Sequence, residues 1–117
     1  MIFASLVRAD FRKMKFRFGL VNLVEIHHII PLQHRHHPAV IQAAFDIHAG
    51  CNLMFLPTKL GAQSLNTSRP VHQGGHMRYN EEVLHELDGI TDRHAERIDE
   101  LIASLRQRVR LQTVPWR

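Results

Sequence analysis

The sequence predicts a small α+β fold: two short strands, flanking helices and a long C-terminal helix. Three observations lead to it. Residues 24–30 form a β-branched run stopped by Pro31, and residues 53–56 form an apolar run stopped by Pro57. Ile98, Leu101, Ile102, Leu105 and Val109 recur at helical spacing and make one apolar stripe. A chain of 117 residues has room for one compact domain with a modest core. Residues 1–117 therefore read as a single domain, with a basic N-terminal extension (1–23), a central region (24–88) and a last helix (91–111).

In the extension, Phe11, Met14, Phe16 and Phe18 are interleaved with Arg12, Lys13, Lys15 and Arg17. Residues 14–18 alternate with period two and suit a strand, whereas residues 3–14 also tolerate a helix. Gly19 and Asn22 end the pattern. Packing an edge is preferred for this segment over touching a nucleic-acid backbone. After the first strand comes a polar turn, Gln33-His34-Arg35-His36-His37-Pro38, and Pro38 then opens a short helix. Ala49-Gly50 marks a turn before the second strand, and residues 58–68 read as loop.

Pro70 is a possible helix start, opposed by Gly74-Gly75. A helix is expected from Met77 or Asn80 to Leu87, ending at Asp88-Gly89. Asp92 is the expected cap of the last helix, which runs to about Leu111 with Arg106, Arg108 and Arg110 placed to suit its dipole.

The apolar fraction is 44%, ordinary for a folded protein, and no segment is low-complexity. Cys51 is the only cysteine, so no intrachain disulfide forms; a small buried thiol in a turn is its expected role. No apolar run approaches the roughly 18 residues of a spanning helix, and Arg8 and Asp10 interrupt the apolar start too early for a secretory signal. The expected location is cytoplasmic, or outside the cell as an effector delivered without a cleavable signal. The net charge of +4 is unevenly spread. Residues 80–100 hold eight of the eleven acids, so elsewhere thirteen basic residues face three acidic ones. Such a surface attracts polyanions, and its bland alternative is solubility.

His27 and His28 carry the most chemistry. Adjacent residues of a strand point to opposite faces, so one imidazole can hold a cation while the next deprotonates water. His72 and His76 lie four apart and share a face if helical. Three imidazoles converging within about 2.0–2.1 Å of an ion leave a coordination position open, the catalytic rather than the structural pattern. His28, with an ordinary imidazole pKa of about 6.5, suits a general base near neutral pH. The simpler readings are two surface histidines at 72 and 76 and a strand-end histidine at 28.

Glu25-Ile26-His27-His28-Ile29-Ile30-Pro31, then Phe45-Asp46-Ile47 leading to Asn52-Leu53-Met54-Phe55-Leu56-Pro57, then His72-Gln73-Gly74-Gly75-His76-Met77-Arg78-Tyr79-Asn80 resemble three blocks of a known family. The chain is identified over residues 24–88 as similar to the AHH nucleases. These belong to the HNH, or ββα-metal finger, superfamily, which includes colicin-type DNases and bacterial toxin domains. The resemblance implies a ββα-metal core holding one divalent ion, zinc or magnesium ahead of nickel or manganese. His27, His72 and His76 would be ligands and His28 the general base. Asn52 would tie the hairpin and hold the base, and Tyr79 would support the site from behind. Ile26 replaces the family's alanine, and Leu53 its glycine, which alters the turn at residues 50–52.

The implied activity is hydrolysis of phosphodiester bonds, in DNA ahead of RNA, of toxin or effector type. Arg35, Lys59, Arg69 and Arg78 are the expected phosphate contacts. An immunity or inhibitor protein and a homodimer through the last helix are the other partners considered; no membrane is expected. The alternatives are a non-catalytic nucleic-acid-binding module with structural zinc, and an interaction protein dimerising through the last helix. His34, His36 and His37 are read as surface loop residues, ahead of lining the phosphate approach or binding a second metal.

Overall fold

A computed structural model describes residues 2–67, 69–72 and 76–116, with side chains from residue 9 onward. In order, the elements are α1 (Ile2–Arg17), β1 (Val24–His28), a 3-10 turn (Leu32–His34), α2 (Pro38–Gln42), a second 3-10 turn (Gly50–Asn52), β2 (Leu53–Pro57), α3 (Lys59–Ser64), α4 (Met77–Asp88) and α5 (His94–Arg110). The expected α+β class with a long C-terminal helix is the observed one.

The two strands pair antiparallel, with Val24 opposite Pro57 and His28 opposite Leu53. Ile29 N donates to Asn52 O at 2.8 Å and Thr58 N to Leu23 O at 2.9 Å, extending the ladder at both ends. Glu25 and His27 share one face of this ribbon, because side chains alternate along a strand. Met54 and Leu56, opposite them, lie in a core completed by Tyr79, Val83 and Leu87 of α4 and by Ile98, Leu101, Ile102, Leu105 and Val109 of α5. Thus the apolar stripe of α5 is buried within its own chain.

Three local expectations are corrected. Residues 14–17 continue α1 instead of forming a strand. Gly19, at φ +67°, closes the helix with Leu20 N donating to Lys15 O and Gly19 N to Phe16 O, a Schellman arrangement. The helix satisfies its backbone locally, and Phe16 is left 82% exposed. Second, residues 59–64 form α3 rather than loop. Thr58 caps it, accepting from Gly61 N at 3.0 Å and donating to Asn22 O at 2.7 Å. Third, the residue before α5 is Arg93 in a left-handed conformation, not Asp92. The Asp92 carboxylate instead approaches the guanidinium of Arg97 at 3.7 Å. Pro70 opens no helix over residues 70–72, while Gly74-Gly75 lies outside the described residues.

Candidate metal centre and active site

His27 sits near the end of β1 and is 1% exposed. Its Nε2 is buried with no hydrogen-bond partner. An imidazole nitrogen buried unmatched costs on the order of 1–3 kcal/mol unless something else satisfies it. Burial, followed by the neighbouring His72, His76 and His28, pushes its pKa down to about 2, so the ring is neutral and keeps a lone pair. One ligand nitrogen from each of His27, His72 and His76 lies within 4.8 Å of the other two. His72 follows a loop anchored by its own N–H on Pro57 O, and His76 immediately precedes α4.

Both loop histidines are oriented from behind. Glu25 Oε2 lies 2.7 Å from His72 Nδ1, and Asn80 Oδ1 lies 2.9 Å from His76 Nδ1. An acceptor at Nδ1 calls for a proton there, leaving Nε2 as the nitrogen with the free pair. Burial also lowers the pKa of His76, against the opposing effect of Asn80. A donor set of three imidazoles, two of them backed by acceptors and one orphaned and buried, fits a divalent metal ion. The three residues expected as ligands are therefore brought together.

His28 lines the same cavity of about 270 Å³ as His27, His72, His76 and Asn80. It lies at the end of β1, and its Nε2 is 2.9 Å from Nδ1 of His48. Asn52 is fully buried. Its Oδ1 accepts from Ile30 N at 2.7 Å, while Nδ2 donates to Ile47 O at 2.8 Å and Ile30 O at 3.1 Å. These bonds fasten the segment just after His28 to the loop carrying His48; none of them goes to an imidazole. Tyr79 is buried beside the His27 ring, with centroids 5.2 Å apart, and its hydroxyl donates to Ile29 O. Burial raises its pKa well above the ordinary phenol range.

The four expected phosphate contacts lie on different parts of the chain. Arg35 and Arg78 are exposed within a few residues of the cavity-lining Gln33 and His76. Lys59 begins α3, and Arg69 reaches Phe55 O on β2 at 2.7 Å. Of the extra histidines, His37 caps α2 and bonds Asp88 at 2.7 Å, and only His36 is exposed. His34, expected on the surface, is buried instead, because its Nε2 bonds Asn80 O at 2.8 Å. Cys51, expected to be buried, is exposed on its turn.

Besides Glu25 and Asn80 behind the loop histidines, two further site residues escaped the sequence reading. Trp116 covers the histidines from the chain's far end, 5.3 Å from the His27 ring and 5.0 Å from that of His76. Its carbonyl accepts from Tyr79 N at 3.2 Å. Being the only tryptophan, next to Pro115 just past α5, was its one signal. His48 had none beyond its residue type.

The sequence profile of AHH, a nuclease family of the HNH/ENDO VII superfamily with conserved AHH, matches residues 13–112. The chain belongs to this family. As an AHH nuclease it has Ile26-His27-His28 as the triplet fitting the signature, with isoleucine in the alanine position. The match extends beyond residues 24–88 at both ends, taking in the last five residues of α1 and all of α5. Among curated proteins and solved structures there is no significant match. Among the described residues no helix is long and apolar enough to cross a membrane.

Proposed function

We propose that this AHH nuclease is a divalent-metal-dependent endonuclease that hydrolyses DNA, with His27, His72 and His76 as metal ligands and His28 as general base. One observation carries the reading. His27, whose Nε2 is buried without a partner, lines the same cavity as His28, and one of its ring nitrogens lies within 4.8 Å of nitrogens from His72 and His76. Zinc is the ion preferred for imidazole donors, with magnesium, nickel and manganese as further choices. When bound, it would supply charge stabilisation to the phosphate and the departing oxygen.

The chain's own residues do the rest. His28 takes a proton from the attacking water as the water oxygen bonds phosphorus and the bond to the leaving oxygen breaks. Asn52 keeps the segment behind His28 in place through Ile30. Tyr79 and Trp116 wall the ligands off from water on one side. Arg35 and Arg78 hold phosphates at the rim, with little base specificity. Residues 1–117 act as one unit, since α5 supplies a large part of the core beneath the site. DNA is placed before RNA, and a toxin or effector setting is included, on the resemblance to colicin-type DNases.

The test is plasmid nicking with added divalent ions. Cleavage should need metal, stop with chelator and vanish in His28→Ala, which should still bind zinc; His27→Ala should lose the metal. Cleavage by His28→Ala at the parent's rate would refute the assignment. Tightly held zinc with nucleic-acid binding but no cutting would instead identify a structural-zinc module.

A further inference from the structure

We propose that Arg69, Arg106 and Arg110 form a second phosphate-binding track, along the outer edge of β2, for the nucleic acid whose scissile phosphate enters the histidine cavity. This rests on the nuclease reading above but concerns a different surface. The hydrogen-bonded pairs Ile29–Asn52 and Leu23–Thr58 set the phase of the ladder. Alternate residues of β2, Leu53 and Phe55, therefore turn their carbonyls away from β1. Guanidiniums occupy those carbonyls. Arg106 Nη2 donates to Cys51 O at 2.6 Å and more weakly to Leu53 O at 3.3 Å, and Arg69 Nη1 donates to Phe55 O at 2.7 Å. Arg110 follows Arg106 by one turn of α5, on the same face.

A guanidinium has five N–H donors, so anchoring on the strand edge leaves most of each fork for another acceptor. Arg93, Arg97 and Arg108 all have carboxylate partners, whereas Arg69 and Arg106 have none among the described residues. The nearest acid on that face of α5 is Asp99, two turns before Arg106. Apart from burial, the charges that most depress Arg69 are those of Arg110 and Arg106, and Arg110 also depresses Arg106.

The plain structural role is to block strand addition at an open edge. One anchored guanidinium per carbonyl does that. Gathering three mutually repelling cations goes further, and a polyanion offsets the repulsion. Successive outward carbonyls of a strand are roughly 7 Å apart, about twice the rise per nucleotide of one nucleic-acid strand. The polyanion that the nuclease reading brings to this chain is a nucleic acid, whose phosphates recur regularly along each strand. Pro57 O, the next outward carbonyl after Phe55, accepts from His72 N at 2.8 Å, so residues 69–72 run along this edge to a cavity-lining histidine and one nucleic acid can reach both edge and cavity.

The experiment is fluorescence anisotropy of a short labelled DNA duplex with the full chain in chelator, over a series of salt concentrations. Removing one phosphate-binding cation should flatten the slope of log affinity against log salt by about 0.9. Arg110→Gln, an exposed change, should take away one such step, and Arg106→Gln with Arg110→Gln about two, while Arg93→Gln with Arg97→Gln keeps the parent slope. Saturating cleavage by Arg110→Gln should keep the parent's kcat with a raised KM. A parent-like slope in both variants, with parent-like melting, overturns the track. Failure of the parent to cut DNA with any divalent ion would instead overturn the nuclease reading, whatever the slopes.

Discussion

Nε2 of His28 lies 2.9 Å from Nδ1 of His48, joining the end of β1 to the loop before β2. Two imidazoles so bonded fix each other's ring orientation, one donating and the other accepting. Removing His48 takes this restraint away from the ring of His28. His48→Ala is expected to lower kcat roughly ten- to a hundredfold, the usual penalty for a misplaced catalytic group. KM and zinc affinity should hold. His48→Asn, whose Oδ1 can occupy the place of Nδ1, should recover most of the loss. Unchanged kcat in His48→Ala would remove His48 from the site's working parts.

Glu25 shares a strand face with His27 and reaches His72 Nδ1 at 2.7 Å. A carboxylate behind a ligating imidazole fixes its tautomer and raises its basicity. Glu25→Ala should weaken zinc binding by about ten- to a hundredfold by titration calorimetry, with melting of the metal-free protein little changed. Parent-like affinity would mean that His72 needs no such support or is no ligand.

Acid should destabilise the metal-free protein through His27. Its folded pKa, held at about 2 chiefly by burial, lies below the ordinary 6.5 of the unfolded chain. Between those values the unfolded state binds the proton and the folded state does not, so stability rises with pH. The contribution is complete above about pH 6.5 and is lost as pH falls toward 2, at no more than roughly 1.4 kcal/mol per unit. Urea titrations across this window should show a shallower pH dependence for His27→Gln than for the parent. Parallel curves would contradict the assignment.

Among Gly19, Gly61 and Gly89, Gly61 is the most closely packed. A Cβ there would lie 1.8 Å from Leu23 O, so α3 would have to lift off the residues leading into β1. Gly61→Ala should cost about 1–3 kcal/mol, as overpacking does, and lower Tm by at least several degrees. Gly89→Ala is the control: its added Cβ would meet nothing nearer than Glu86 O at 3.4 Å, and its Tm should stay near the parent's.

Much of this was legible one segment at a time. Apolar runs stopped by proline place β1 and β2, the Asp88-Gly89 end places α4 and the 3.6-residue stripe places α5, each within a few residues, because these signals are local. Proline and glycine mark most of their ends. His27, His72 and His76 stood out because few residue types can ligate a metal, and His28 because it adjoins one of them. Where two local patterns competed, as at residues 14–18, or where a glycine hid a capped turn, as at Gly61, the sequence pointed the wrong way or nowhere.

By itself, then, the sequence determined the α+β class, the helix and strand inventory around the site, and the histidines able to do the chemistry. Tertiary structure alone decided which side chains support them: His48 against His28, Glu25 behind His72, Trp116 over His27, and Arg69 and Arg106 on the outer edge of β2. The physical reason is range. Periodicity and capping act over one turn or one strand, whereas these contacts join residues 20 to 89 positions apart, or meet a strand edge that exists only once the ribbon has formed. No local pattern encodes them.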